Sequence, residues 1–289
     1  MLLLQLELNH AQQWGFALWL AALGGCLGSF MNVVVYRLPR RKSLIHPGSA
    51  CPQCGHAIRW QHNVPVLGWL LLGGRCRDCR APISARYPII EAIVAATFVA
   101  LGFAGPLAGD AGTDASQSLL WGRYAWHAVL LCVLLCLALI ELDGDRAGET
   151  HHPWLLVLLP VIGGMVALAY WPQLHPAPLG KDHAGAWTGL AQAALGAAAG
   201  LGLGLVVQPA TGFGPMQRAG RRYAMLNALL VGLFLGWQAA ALLVVATTLL
   251  YLPAARGPKQ LPWSLVLWAL TLLWILFDPA GTPGIADAF

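Results

Sequence analysis

Charge is the scarcest property of this sequence. Lys, Arg, Asp and Glu make up 10% of its 289 residues, whereas 58% of them are hydrophobic. A soluble globular protein carries about 25% charged residues, so the shortage of charge excludes an ordinary soluble domain. The hydrophobic residues are grouped in long runs, and the sequence therefore predicts an all-α polytopic membrane protein.

Two other features are missing. No basic segment precedes the first apolar run, and residues 1–13 are therefore not expected to be a cleaved signal peptide. The chain also has no glycine-rich nucleotide-binding fingerprint. The sequence consequently assigns no site for a nucleotide-like cofactor.

Eight apolar segments are candidates for membrane-spanning helices. They are 15–36, 87–103, 124–140, 154–171, 186–208, the two halves of 224–252, and 263–277. Each half of 224–252 is short for a bilayer, but basic residues flank the whole segment, so we expect a hairpin that turns near Gly236. Residues 1–14 form the outer N-terminus in this topology, and 87–289 form a bundle of about seven spans.

Small residues mark two of these spans. They are Gly24, Gly25, Gly28 and Ser29 in the first span, and Gly196, Gly200, Gly202 and Gly204 in the fifth. Small side chains allow the backbones of two membrane helices to approach closely. Each set therefore predicts a tight helix–helix contact.

The positive charge is concentrated in one loop, at residues 37–86. Nine of the seventeen Lys and Arg residues lie there, and Asp78 is the only acid among them. Basic loops beside membrane spans face the cytoplasm, which places the N-terminus outside. A basic loop is also typical of nucleic-acid-binding surfaces, but topology alone accounts for the charge, so we expect no nucleic-acid partner.

The same loop carries two Cys-x-x-Cys pairs, Cys51 with Cys54 and Cys76 with Cys79, separated by 21 residues. Two such pairs can bring four thiolates to one tetrahedral zinc ion. The alternative is two buried or disulfide-linked pairs. A two-residue gap makes a strained disulfide, and cytoplasmic thiols stay reduced. The spacing therefore predicts a zinc-ribbon-like loop with a structural zinc ion.

Acidic residues are gathered in the turn at 141–153, after the third span. The four acids are Glu141, Asp143, Asp145 and Glu149. Acids are costly near hydrocarbon, so the cluster is a candidate functional site; the alternative is a solvated loop, because Gly144 and Gly148 are typical of turns.

Glu91 is a further acid, at the edge of the second span. We expect it to pair with a loop arginine, and a catalytic role is the alternative.

Three segments together resemble the type IV prepilin peptidases, which are membrane aspartyl proteases that also N-methylate their product. The first is Gly28-Ser-Phe-Met-Asn-Val-Val-Val-Tyr-Arg-Leu-Pro39, the second is the set of four cysteines, and the third is Arg86-Tyr-Pro-Ile-Ile-Glu91. Leu235-Gly-Trp-Gln238 resembles the segment that follows the family's second active-site motif. The resemblance covers essentially the whole chain and is sharp only at 24–95.

The resemblance implies catalysis by two aspartates, one activating water while the other polarises the scissile carbonyl. The family's Asp-x-Asp motif aligns with Glu141-Leu-Asp143, which makes Asp143 the first catalytic acid. The second acid should lie fourteen residues before Gln238, where this chain has Ala224. A pair of Asp143 with Asp145 or Glu149 would need a non-helical turn, because residues two apart on a helix point away from each other.

The family's function would be that of a prepilin leader peptidase and N-methyltransferase. Its substrates would be type IV prepilins or type II secretion pseudopilins, at the bacterial inner membrane with the N-terminus periplasmic. S-adenosylmethionine would be the methyl donor if methyl transfer is retained. The alternative is a catalytically inactive relative that binds prepilins or assists pilus or secretion assembly, because the second aspartate is missing.

Overall fold

The computed structural model describes residues 2–104, 117–143, 154–170, 186–207, 218–254 and 262–277. These residues form α-helices joined by turns, with two isolated β-bridges and no β-strand among them. The helices are α1 (Leu2–Arg37), α2 (Leu67–Leu71), α3 (Arg86–Ala104), α4 (Gln117–Asp143), α5 (Trp154–Tyr170), α6 (Ala186–Val207), α7 (Arg218–Ala254) and α8 (Trp263–Phe277). The predicted all-α class is confirmed.

Among the residues that the structure describes, five helices are long and apolar enough to cross a membrane. Their spans are Ala11–Arg37, Arg86–Ala104, Leu119–Asp143, Gly189–Val206 and Arg222–Tyr251. Two shorter apolar helices cover Leu156–Val166 and Trp263–Phe277. The chain is therefore a multi-pass membrane protein, whereas the number of eight spans stays a prediction. Helix α1 begins at Leu2, so the segment expected to precede the first span is part of the same helix.

The chain divides into two compact units, Met1–Gly109 and Asp110–Phe289. In the first unit, α1 and α3 run antiparallel. A methyl group added to Gly24 would lie 2.9 Å from the Cα of Ala95, and one added to Gly28 would lie 2.8 Å from the Cα of Glu91. Real Cβ atoms do not approach this closely, so only glycine fits. The close helix contact predicted for this stretch is confirmed.

In the second unit, α6 packs against the first half of α7 through glycine. A methyl group on Gly196 would overlap the carbonyl oxygen of Gly232, and one on Gly200 would overlap that of Ala228. A methyl group on Gly202, in contrast, would have no described atom within 4 Å. The small residues of the fifth span therefore serve the predicted contact on one face of the helix only.

Helix α7 is interrupted at Gly236, which has φ 88° and ψ 169°. The charge of Glu141 acts on both Tyr223 and Tyr251. In one straight helix these tyrosines would lie about 42 Å apart at 1.5 Å per residue, too far for a common neighbour. Helix α7 is therefore broken at Gly236, as predicted, whereas a hairpin of two membrane spans stays a prediction.

The interior of the second unit is formed by α4, α7 and α8. Leu130, Leu134 and Leu137 of α4 are fully buried. The indole Nε1 of Trp126 donates a hydrogen bond of 2.9 Å to the carbonyl oxygen of Phe234, and the two rings lie 4.2 Å apart between centroids. These contacts fix the rotation of α4, and with it the direction in which the residues at its C-terminal end point.

Candidate metal centre and polar cluster

The first Cys-x-x-Cys pair forms a tight hydrogen-bonded knuckle. The backbone N–H of Cys51 donates to the carbonyl of His56, and that of Gly55 donates to the carbonyl of Cys51, both at 2.9 Å. Gly55 has φ 73°, a conformation that glycine adopts without strain. The knuckle therefore holds the thiols of Cys51 and Cys54 on one side of a single turn.

The second knuckle repeats the first one residue for residue. The backbone N–H of Cys76 donates to the carbonyl of Ala81 at 2.8 Å, and that of Arg80 donates to the carbonyl of Cys76 at 3.0 Å. Arg80 has φ 60° and takes the place that Gly55 has in the first knuckle. A residue with a Cβ is disfavoured in this left-handed region. The second knuckle thus retains a backbone geometry that its sequence does not favour.

The four sulfur atoms converge. All lie within 4.8 Å of one another; Cys51 Sγ is 3.8 Å from Cys79 Sγ, and Cys54 Sγ is 4.0 Å from Cys76 Sγ. Tetrahedral zinc with Zn–S bonds of about 2.3 Å requires sulfur atoms about 3.8 Å apart. The thiols therefore fit one zinc ion, and all four positions are filled by protein, as in structural sites.

Electrostatics favour metal binding at Cys51. The backbone N–H of Cys54, followed by that of Gln53, lowers the pKa of the Cys51 thiol from 9.0 to about 6. A group with this pKa is a thiolate at neutral pH, and the thiolate is the form that binds metal. The knuckle backbone thus prepares one ligand before the ion arrives.

Within the loop, the short helix α2 contacts the second knuckle through Trp69. The indole Nε1 of Trp69 donates to the carbonyl of Ile83 at 3.0 Å, and a methyl group on Gly74 would lie 2.8 Å from the Trp69 ring. Trp69 therefore packs against the residues on both sides of the second knuckle. It links this knuckle to α2, the short apolar helix that precedes it in the chain.

The prediction that Glu91 pairs with a loop arginine is wrong. Its Oε2 atom accepts a 2.7 Å hydrogen bond from the backbone N–H of Val66, and the side chain is buried. Val66 has φ 60°, a strained conformation for a β-branched residue. The carboxylate of Glu91 stabilises that conformation, so its role is to hold α2 against α3.

A cluster of polar groups lies in the second unit, where α4, α7 and α8 meet. The hydroxyl of Ser264 donates a hydrogen bond to Oε2 of Glu141. Tyr223 and Tyr251 of α7 are buried in the same region as this carboxylate. Glu141 thus lies near hydroxyl groups from two other helices.

Asn227 extends the cluster along α7. It lies four residues after Tyr223, on the same helix face, and is 0% exposed. Neither its Oδ1 nor its Nδ2 has a hydrogen-bond partner among the described residues. A buried amide without partners is costly. Because Asn227 lies one turn after Tyr223, the polar face of α7 extends one turn further along the helix.

The two acids of Glu141-Leu-Asp143 lie at the C-terminal end of α4, and both are partly exposed. Glu141 accepts the hydrogen bond of Ser264. Every residue from Leu134 to Ile140 is buried, so burial along α4 does not single out one of the two acids.

The two acids that were predicted as partners of Asp143 are Asp145 and Glu149, and both lie outside the described residues. Ala224, at the position expected for the second aspartate, is buried in α7 beside Tyr223. Asp143 as the catalytic acid therefore stays a prediction, and α7 supplies no carboxylate at Ala224.

Comparisons with known proteins point to one family. Residues 22–104 match the family model "Bacterial Peptidase A24 N-terminal domain". The prepilin leader peptidase/N-methyltransferase of Myxococcus xanthus is 35% identical over 237 residues, which cover 78% of this chain and 57% of that protein. The protein of the same name from Aeromonas hydrophila is 35% identical over 192 residues, or 57% of this chain and 62% of that protein.

A third protein of that name, from Klebsiella pneumoniae, is 46% identical over 96 residues, or 31% of this chain and 41% of that protein. The chain thus spans 57% and 62% of the length of the Myxococcus and Aeromonas relatives. No solved structure matches the chain.

Proposed function

We propose that this chain, which belongs to the type IV prepilin peptidase family, binds type IV prepilins or type II secretion pseudopilins at the bacterial inner membrane without cleaving their leader peptides. The similarity of residues 22–104 to the family's amino-terminal domain supports the substrate class. In the second unit, the position expected for the second proteolytic aspartate is occupied by Ala224.

The absence of a carboxylate at Ala224 is the observation that carries the proposal. Aspartyl hydrolysis needs two acids close enough to share a proton, one ionised to activate water and one protonated to polarise the carbonyl. Ala224 is a buried apolar residue one position from Tyr223. Asp143 cannot take both roles at once.

The amino-terminal unit contains the cluster of four cysteines that was predicted to bind zinc. Four converging thiols would hold a structural zinc ion, which would brace the loop 37–86 between α1 and α3. Methyl transfer remains compatible with this unit, because the relatives named above are also N-methyltransferases. S-adenosylmethionine would then supply the methyl group. The positive-inside rule favours a cytoplasmic loop and a periplasmic N-terminus.

The test is a leader-cleavage assay in membranes that contain a prepilin substrate. The wild-type chain should leave the substrate uncut, and the Aeromonas relative should cut it. The family's second motif is Gly-x-Gly-Asp. A triple variant, Arg221→Gly, Tyr223→Gly and Ala224→Asp, gives residues 221–224 this pattern and should restore cleavage. Ala224→Asn in the same background is the matched control, because it keeps the size of the side chain and lacks the acid.

Binding is tested separately, by recovery of the uncut prepilin with the affinity-purified wild-type chain. Retention of prepilin without cleavage would support the proposal. Cleavage by the wild-type chain would contradict the loss of proteolysis, and failure to retain the prepilin would contradict the substrate class.

A second candidate is an active leader peptidase that uses an acid other than the missing one. It is favoured by the polar cluster at Glu141, because a carboxylate among hydroxyl groups can exchange protons. In that case the wild-type chain would cleave, and cleavage would disappear in Asp143→Asn or in Glu141→Gln. The variant that abolishes cleavage would identify the working acid.

A further inference from the structure

An open cleft of about 330 Å³ lies in the first unit, beside the C-terminal part of α1. One wall is a stripe of α1 formed by Cys26, Phe30, Val33 and Arg37. Their spacing of four, three and four residues places them on one face of the helix. The apolar members lie within the membrane span Ala11–Arg37, and Arg37 is its last residue.

The opposite wall is a loop that Arg37 itself holds in place. Its Nη1 donates to the carbonyl oxygen of Ser43 at 3.0 Å, and its Nη2 donates to that of Pro47 at 2.8 Å. The hydroxyl oxygen of Ser43 accepts hydrogen bonds from the backbone N–H groups of Ile45 and His46. The loop is therefore fixed against α1, and the cleft between them is part of the fold.

The cleft carries positive charge without an acid to balance it. A guanidinium group has five N–H donors, and two of those of Arg37 are used by the loop carbonyls. The residues that line the cleft include no Asp or Glu. Arg40 and Lys42 follow Arg37 along the chain but lie over the ring of Tyr36, at 4.3 and 5.3 Å from its centroid, and do not line the cleft.

The chemistry of the two ends defines the ligand. A partly desolvated guanidinium favours a phosphate, which accepts several of its hydrogen bonds at once. The other end is apolar and continuous with the membrane-spanning face, because Phe30 is 48% exposed and Leu27 is 37% exposed. A molecule that satisfies both ends has a phosphate at the membrane interface and a hydrocarbon chain in the bilayer.

We propose that this cleft binds one anionic phospholipid, with its phosphate at Arg37 and an acyl chain along Val33, Phe30 and Cys26. Basic pockets at the ends of membrane spans are a recurrent form of lipid recognition. The site is independent of prepilin processing. It would hold whether or not the chain cleaves its substrate.

The experiment measures lipid retention by the purified full-length chain, using native mass spectrometry after exchange into detergent containing phosphatidylglycerol. Ser49 lines the cleft and is exposed. Ser49→Glu places a negative charge beside the proposed phosphate and leaves the contacts of Arg37 with the loop intact. A single charge near a lipid surface changes affinity by about fivefold, so the apparent affinity for phosphatidylglycerol should fall by at least that factor.

Ser49→Gln is the matched control and should bind as the wild type does, because it adds similar bulk without charge. Arg59→Gln removes a loop charge outside the cleft and controls for general electrostatic attraction. Arg37→Gln should also lose the lipid, with elution as a monodisperse peak as the check that the chain remains folded. Phosphatidylcholine should be retained more weakly than phosphatidylglycerol.

Two competitors separate a lipid headgroup from a free phosphate. Glycerol 3-phosphate and inorganic phosphate should not displace phosphatidylglycerol at millimolar concentration, because neither fills the apolar half of the cleft. Displacement by either would overturn the proposal in favour of a small phosphate ligand. Equal retention by Ser49→Glu and Ser49→Gln, or equal retention of the two lipids, would also overturn it.

Discussion

Replacing Arg80 with glycine should strengthen the zinc site. Arg80 has φ 60°, and its counterpart in the other knuckle, Gly55, has φ 73°. A residue with a Cβ is destabilised by roughly 1–2 kcal/mol in the left-handed region. Glycine removes that strain but gains freedom in the unfolded chain, which offsets about 0.4–1 kcal/mol of the benefit. The net gain in folding free energy of the loop should be of the order of 1 kcal/mol.

This gain should appear as zinc affinity. Metal binding and closure of a small metal loop are coupled, and 1 kcal/mol corresponds to about a fivefold change in affinity. Removing the arginine also removes a positive charge beside the thiolates, so the proper reference is Arg80→Ala, which loses the same charge and keeps a Cβ. Competition for zinc with a chromogenic chelator should show that Arg80→Gly binds about fivefold more tightly than Arg80→Ala.

The first knuckle provides the reciprocal experiment. Gly55→Ala introduces the strain that Arg80→Gly relieves, so its zinc affinity should fall by about fivefold relative to the wild type. The two substitutions act at equivalent positions of the repeated turn. Equal zinc affinities for Arg80→Gly and Arg80→Ala would refute the reasoning, because the left-handed conformation would then carry no cost.

The parts of the structure that depend on local sequence could be predicted well. The convergence of four thiols follows from two short turns, each closed by hydrogen bonds within six residues, such as Cys51 to His56. The antiparallel contact at Gly24 and Gly28 follows from small residues one turn apart. The break at Gly236 follows from charge at both ends of an apolar segment. In each case the deciding interactions lie close together along the chain or repeat with the helix period.

The parts that depend on distant contacts could not be predicted. The hydrogen bond between Ser264 and Glu141 joins residues 123 positions apart, and nothing in the Glu-Leu-Asp motif indicates which acid meets Ser264. The packing of α4 against α7 and α8 decides this. Glu91 likewise binds the backbone of Val66 rather than a charged side chain. A sequence pattern does not reveal which backbone N–H groups are left without a partner.

Two further predictions concern the helix contact and the thiols. Gly196→Ala should destabilise the second unit by about 1–3 kcal/mol, measured by thermal unfolding in detergent, because its methyl group would overlap the Gly232 carbonyl, whereas Gly202→Ala should have little effect. In the metal-free chain, alkylation of Cys51 should rise through about pH 6, and through about 9.0 after unfolding in urea, because knuckle N–H groups stabilise its thiolate and lower its pKa. Since the folded-state pKa is the lower one, Cys51 stabilises the loop fully above about pH 9 and loses this effect as the pH falls through 6. An alkylation midpoint that is unchanged by urea would show that the knuckle backbone does not act on the thiol.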